Sequence, residues 1–396
     1  MPAPVLVLFH LAFRTLVRSR ISFVLLVLAV TAGLGFQIPN TANIDGYTKE
    51  LRVKGITRDT GHVVVSSRAG GNFAEADALG ASFAKEKFVQ AVTVRLAQVG
   101  TAFLAEKSGS GRVVGVDAKA EQVAIGFCND VDAGRCLAPG DNRHALLGSY
   151  LANTLGAHVG DSLRVVMPYF EGQTLRVAEV RFEVVGILRG AGGFRADYEL
   201  FVPLSELRSI LGQTDIASEI RVFTEDEDRA TEWAKSIAAI APHHKVEAWS
   251  EAHQFIKNAI DANRSISRIS TAMVVVAVMI PVLALLYIHV LAERRRIATI
   301  AALGFHRMEI FVIHFLQAFF IGVIGCGLGS GVGYGLCLYF QKHPIFANSG
   351  FVVLPSITWH AFALPGITLF CTTLVAGIVP AMLAARAEPA MELRSE

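Results

Sequence analysis

Between Met273 and Leu291 the chain runs for nineteen residues without Asp, Glu, Lys or Arg, then breaks abruptly into Glu293-Arg294-Arg295-Arg296. At about 1.5 Å per helical residue such a run crosses a hydrocarbon core of roughly 30 Å. Inside that core every backbone polar group must be satisfied within the segment, so a membrane-spanning helix is the expected structure. Ile21 to Phe36, Ile310 to Phe340 and Ala361 to Leu383 have the same character. With 53% hydrophobic and 18% charged residues, the chain is too apolar for an ordinary soluble enzyme. A net charge of +2 supplies no field for nucleic acid, which is therefore not expected as a partner.

These runs predict an α-helical membrane protein with four transmembrane helices and a large α+β extracytoplasmic domain between the first and second. Residues 1–20 form a cytoplasmic interfacial helix in this reading, because Leu6, Phe9, Ala12, Phe13, Leu16 and Val17 share a face opposite His10, Arg14 and Arg18. Transmembrane helix 1 covers 21–38. A cleaved signal peptide is the alternative, but the basic stretch is long and no small-x-small site precedes a soluble start. The extracytoplasmic domain with its stalk helices covers 40–268, transmembrane helix 2 270–292, a cytoplasmic coupling segment 293–309, helix 3 310–340, helix 4 361–383 and a cytoplasmic tail 384–396.

Orientation follows from where the arginines fall. Arg14, Arg18 and Arg20, then Arg294, Arg295, Arg296 and Arg307, then Arg386 and Arg394 share one side of a four-span arrangement. The short loop on the other side, Gln341 to His360, carries Lys342 alone. Positively charged loops stay inside, so both termini are expected in the cytoplasm of an inner-membrane, multi-pass protein.

Within the domain, His62 to Ser66, Ala91 to Val99, Leu163 to Met167, Phe182 to Leu188 and Glu219 to Phe223 read as strands, and Phe73 to Phe88 and Glu225 to Ile240 as helices. Their order suggests one α+β module split by a β-rich insertion at about 105–215. Cys128 and Cys136 flank a polar, turn-prone stretch and are expected to form a disulfide. Free thiols remain an alternative, and a metal site lacks the second pair of ligands that zinc requires. Trp249 to Ser270 is amphipathic and meets transmembrane helix 2 without Pro or Gly, which predicts one rod from Trp249 to Leu291, with Pro281 as either a kink or a tolerated membrane proline.

Helix 3 carries glycine at every second position from Gly325 to Gly335. Small residues four apart let a second helix approach closely in lipid, so Gly325, Gly329, Gly331 and Gly335 are the expected packing positions. A phosphate loop is excluded because no strand precedes the string and no Lys-Ser or Lys-Thr follows. The sequence holds no G-x-x-x-x-G-K-[ST], H-E-x-x-H or G-x-S-x-G, and hence no catalytic or metal set is assigned and the chain is not expected to be an enzyme. His289, His306 and His314 read as interfacial residues at the membrane border. The span centres hold no ionisable Asp, Glu, Lys or Arg, which argues against ion-coupled transport.

Several stretches together resemble the FtsX-like ABC permeases, the MacB-type group of macrolide-export and lipoprotein-release permeases. These are Gly377-Ile378-Val379-Pro380-Ala381 with Ala384 to Arg394, Glu293 to Gly304 before Ile310, Leu146 to Ala152 with Val159-Gly160-Asp161, and Val184 to Leu188 with Leu200 to Leu204. The resemblance implies a dimer of four-span permeases, formed with a second copy or a homologous chain, and driven by a cytoplasmic ABC ATPase dimer that binds the ATP and Mg. A periplasmic adaptor or acceptor protein and membrane lipid are the other partners it implies. Motion would pass along the stalks to amphiphilic cargo outside, with Glu293, Arg294, Arg295, Arg296, Gly304 and Arg307 at the ATPase contact. An FtsX-like signal relay that moves no substrate is the alternative. The macrolide exporter carries its ATPase fused, whereas this sequence holds none, and the Cys128 to Cys136 segment departs from the family pattern.

Overall fold

A computed structural model of the protein describes residues 5–171, 174–190, 194–348 and 351–386. The expected tail signature beyond Arg386, including Arg394, lies outside the described residues. Helix α1 (Val5–Arg18) is followed by α2 (Arg20–Leu51), which passes directly into a π-helix at Arg52–Thr60. Then come β1 (Val63–Ser67), β2 (Phe73–Ala74), α3 (Ala76–Phe83), β3 (Val89–Leu104), β4 (Lys107–Val116), α4 (Ala118–Ile125), β5 (Val131–Gly134) and β6 (His144–Leu147). Next are α5 (Ser149–Leu155), β7 (Ser162–Glu171), β8 (Thr174–Leu188), β9 (Glu199–Pro203), α6 (Leu204–Ile210), β10 (Ile216–Ala217) and β11 (Glu219–Thr224). The chain continues through α7 (Ala230–Ile240), β12 (His244–Ala248), α8 (Trp249–Ala252), α9 (Gln254–Ala292), α10 (Arg294–Ala302), α11 (Arg307–Lys342) and α12 (Trp359–Ala385).

The chain separates into two compact units, a helical one (1–48, 262–345 and 353–396) and a sheet-bearing one (49–261 and 346–352). Helices Arg20–Thr60, α9, α11 and α12 are each long and apolar enough to span a membrane.

In the sheet-bearing unit the main sheet has the order β12-β1-β11-β3-β4-β9-β6-β8-β5, with β7 beside β3 and β8. Strand β3 is the bridge. Its first half pairs with β11 (Val94 opposite Ile220) and its second half with β4 (Leu96 opposite Gly115). The insertion expected from about 105 therefore shares a strand with the flanking module. On β6, β8 and β9 successive residues enter two different cores. Ala145, Leu147, Val184, Leu200 and Val202 join Phe182 and Leu163, while Leu146, Val185 and Phe201 join Phe127 and Leu137. Strands covered on both faces need no polar alternation, and so read as short continuous apolar runs. The helix expected over Phe73 to Phe88 is shorter, because Phe73 and Ala74 pair with Ala217 and Ile216 before α3 starts.

In the helical unit, α2 packs on α11 at matching four-residue steps. A Cβ on Gly325, Gly329 or Gly333 would meet Val30, Leu34 or Ile38 at 2.7, 2.8 and 2.9 Å. Gly331 and Gly335 have open space around an added Cβ, so two of the four expected packing glycines make no such contact within the chain. The reason is helical period: positions two or six residues apart lie on different faces at 3.6 residues per turn. Helix α9 runs antiparallel to α2. Gln37 Nε2 donates to Thr271 Oγ1 (2.8 Å), Asn40 Nδ2 to Ser270 Oγ (2.8 Å), and Asn263 Nδ2 to Thr48 Oγ1 (2.8 Å) and the Ile44 carbonyl (3.1 Å). Such bonds supply directional adhesion of about 0.6 kcal/mol each where lipid gives the hydrophobic effect nothing to work on.

The single rod from Trp249 is interrupted. His253, at φ −125° and ψ 65°, separates α8 from α9, and α9 then continues unbroken through Pro281. His289 and His314, expected at the membrane border, pack among the helices. They are 2% and 6% exposed within the helices, with His289 Nδ1 3.2 Å from Ser19 Oγ and His314 Nδ1 donating to the Ile310 carbonyl at 2.9 Å.

Candidate functional site

The basic turn folds as a short helix between two long ones. Glu293 caps α10, and Arg296 Nη1 lies 3.2 Å from its carboxylate. Ile297 and Ala298 are buried, and Ile297 joins Val290, Ile310 and Ala384 in a small core, which fixes the other face of α10 outward. That face carries Arg294 and Arg295, and the turn beyond adds Leu303, Arg307 and Met308, all exposed. Gly304 has φ +96°, a conformation open to glycine at little cost, and it reverses the chain into α11. His306 and Glu309 close that turn with a reciprocal capping box, the His306 amide donating to Glu309 Oε2 at 2.7 Å. The six residues expected at the ATPase contact therefore lie on one short helix–turn, with Glu293 and Arg296 partly spent on holding its shape.

A second constellation, which sequence reasoning missed, lies in the sheet-bearing unit. Glu121 on α4 is wholly buried between two arginines. Arg95 Nε and Nη2 donate to its two oxygens at 2.7 and 3.0 Å, and Arg221 Nη2 donates to Oε2 at 2.6 Å. Burial alone would raise this carboxyl, but Arg221 and Arg95 hold it down at about 2. Loss of water and the facing Arg95 bring Arg221 to about 10, still charged at neutral pH. One carboxylate thus serves two cations. Arg221 Nη1 donates to the carbonyls of Arg58 (2.8 Å) and Asp59 (3.2 Å), the last turn of the π-helix, and its Nε donates to Thr93 Oγ1 (3.2 Å).

Around this triad the π-helix is fastened further. Asp59 lies 3.2 Å from Arg195 Nε and 2.7 Å from His253 Nε2, Arg58 pairs with Asp130 at 2.7 Å, and Arg52 pairs with Glu227 and Asp228. Gly55 permits the closest approach, since a Cβ there would come within 1.8 Å of Ile256 on α9. Glu199, buried beside Arg95 and Arg195, is pushed up to about 7 by burial, which those cations do not offset. Thus the end of the first long helix, the break before α9 and both halves of the sheet meet in one ionic joint. The signal in the sequence was a charge inside an apolar strand: Arg95 in Ala91 to Val99, Arg221 in Glu219 to Phe223, Glu199 before Leu200-Phe201-Val202.

Cys128 and Cys136 are joined by a disulfide, with Cα atoms 5.3 Å apart. Phe127, Leu137, Val185 and Leu188 surround it.

Comparison with known proteins adds two matches in sequence. A model of the MacB-like periplasmic core domain matches residues 21–240, and one of the FtsX-like permease C-terminal region matches residues 268–389. The lipoprotein-releasing system transmembrane protein LolC of Haemophilus influenzae is 22% identical over 293 residues, covering 72% of this chain and 73% of that protein. The macrolide export ATP-binding/permease protein MacB of Hyphomonas neptunium is 26% identical over 240 residues, covering 57% of this chain but 35% of the relative. Among solved structures, the periplasmic region of MacB from Actinobacillus actinomycetemcomitans aligns at 17% identity and TM-score 0.37, covering 52% of this chain and 96% of that one. The extracellular domain of the transporter YknZ aligns at 18% and TM-score 0.34, covering 47% and 98%.

Proposed function

The chain belongs to the FtsX-like ABC transporter permeases with a MacB-like periplasmic core domain, and from that membership we propose that it is the permease subunit of a mechanotransmission transporter. Its cargo in this reading is amphiphilic, a lipid, lipoprotein or hydrophobic drug, extracted or exported at the outer face of the inner membrane with both termini in the cytoplasm. ATP and Mg are bound by a separate ATPase dimer. Its contact is the exposed face formed by Arg294, Arg295, Leu303, Arg307 and Met308, where an apolar pair ringed by arginines suits a protein surface of mixed character.

The observation that carries the reading is α9. Its residues 254–261 belong to the sheet-bearing unit and 262–292 to the helical unit, and no residue between Gln254 and Ala292 leaves the helix. A continuous helix transmits displacement because its backbone hydrogen bonds must break before it can shorten or fold.

Support for a second permease lies on the same helix. Ile266, Ile269, Met273, Val276 and Ile280 are exposed at spacings of three and four, with Tyr287 one heptad further, which is the spacing of a two-helix seam. Phe170, Leu175 and Val177, exposed on the β7–β8 ribbon, offer a contact for a soluble acceptor of apolar cargo.

The test is a helix interruption. Several glycines inserted beside Asn263, each costing about 1 kcal/mol relative to alanine, uncouple the two ends of α9. The complex should keep its ATPase rate while export or release of cargo falls, and full transport by the inserted variant at normal expression would refute the proposal. A relay that moves no cargo would instead lose activation of its extracytoplasmic partner, which separates that alternative.

A further inference from the structure

The segment Phe127–Leu137 is fastened at both ends and in its middle. Phe127 packs edge-on against Phe201 with centroids 5.2 Å apart, and Leu137 is 5% exposed. Between them the disulfide closes the loop, and Cys128 N–H donates to Gln122 Oε1 at 2.7 Å. At the loop's centre sits Asp130. Its carbonyl accepts from Arg189 N at 2.7 Å, and its carboxylate reaches Arg58 on the π-helix at 2.7 Å. Beyond Asp130, strand β5 is a weak support. It is a sheet edge, its register with β8 slips between Val131 and Ala133, and Asp132 to Arg135 are exposed. The disulfide therefore supplies the covalent restraint on where Asp130 can stand.

Arg58 contributes to the joint twice. Its side chain takes Asp130, and its carbonyl accepts the Arg221 guanidinium at 2.8 Å. Next to it, Asp59 holds Arg195 and His253. A loop that releases Asp130 frees the Arg58 side chain, while the Arg58 carbonyl keeps its tie to Arg221 on β11 within the sheet.

We propose that the Cys128–Cys136 disulfide is a redox-operated clamp that, when closed, holds Asp130 on Arg58 and stiffens the end of the first long helix at its joint. A dithiol of the thioredoxin class opens it by thiol–disulfide exchange. The dithiol's thiolate attacks one sulfur and displaces the other as thiolate. Its second thiol, as thiolate, then attacks the mixed disulfide and displaces the remaining loop sulfur, so two electrons and two protons pass from the dithiol to the loop and both cysteines end as thiols. Oxidation by a disulfide of the opposite poise runs the same steps backwards. In the transporter reading above, on which this consequence rests, reduction lowers the efficiency with which motion reaches the cargo.

The clamp is tested on the full chain in detergent by amide hydrogen exchange, which reads local opening without any transport assay. Three states are compared: oxidised, reduced with a phosphine, and the Cys128→Ser/Cys136→Ser double variant. Intact mass after thiol blocking verifies three free thiols in the first and five in the second. Exchange across residues 52–60 should rise at least tenfold in both open states, and Asp130→Asn should reproduce that rise with the disulfide intact. Protection of 52–60 unchanged on reduction, with changes confined to 127–137, would overturn the clamp. If the double variant fails to fold, reduction of the folded wild-type chain and the Asp130→Asn variant decide it. Because the readout is exchange, failure of the clamp and failure of the transporter reading remain distinguishable.

Discussion

Replacing Glu121 with Gln removes one charge and no volume from the buried triad. It leaves Arg95, 4% exposed, and Arg221, 0% exposed, facing each other without the carboxylate that neutralised them. Two routes give the cost. Removing one partner of a buried, hydrogen-bonded ion pair typically costs about 3–5 kcal/mol, because the remaining charge has lost its water as well. Independently, Glu121 is held at about 2 against an ordinary 4.5. At roughly 1.4 kcal/mol per pH unit this corresponds to about 3 kcal/mol of stability at neutral pH. A folded-state value below the unfolded one contributes stability that is present above pH 4.5 and fades as the pH falls through 2. Denaturant unfolding followed by the fluorescence of Trp233 and Trp249 should therefore show the variant about 3 kcal/mol less stable at pH 7. The gap should narrow as the pH is lowered from 5 towards 2. A loss under 1 kcal/mol at pH 7, or a gap unchanged between pH 5 and 2, would refute the claim that Glu121 neutralises both arginines.

Three other substitutions probe separate parts of the structure. Glu199 stands at about 7 rather than 4.5, so it stabilises the fold below pH 4.5 and that contribution is lost as the pH rises through 7; Glu199→Gln should flatten the decline between pH 4.5 and 7, and an unaltered stability profile would count against it. Gly329→Ala places a methyl 2.8 Å from Leu34 Cβ and should lower the melting temperature by the few degrees that roughly 1–3 kcal/mol of overpacking implies, while Gly331→Ala, with open space, should leave it unchanged or raise it. Equal effects of the two would mean that α2 and α11 do not pack as described. Charge reversal of Arg294, Arg295 and Arg296 to Glu should weaken co-purification with the ATPase at least tenfold. Normal association, with membrane orientation verified in parallel, would remove this face from the contact.

Length and charge spacing determined the membrane part. A run without ionisable residues has one stable form in lipid, so Met273 to Leu291 specified a helix from its own composition, and the glycine and arginine chemistry of Gly304 and Glu293 to Arg307 specified a turn. Which glycines would touch another helix was not legible, since Gly329 and Gly331 differ only in the face that α2 takes. In the domain, local pattern located β1, β3, β7, β8 and β11 but not β6 or β9, runs of four and five residues that are too short to show a period. The ionic joint was beyond a linear reading altogether. Arg95, Glu121 and Arg221 lie 26 and 100 residues apart, and a lone charge in an apolar strand says only that a partner is required. Which partner it finds is decided by strand pairing across the sheet, because that alone brings three distant charges within hydrogen-bond reach and out of water.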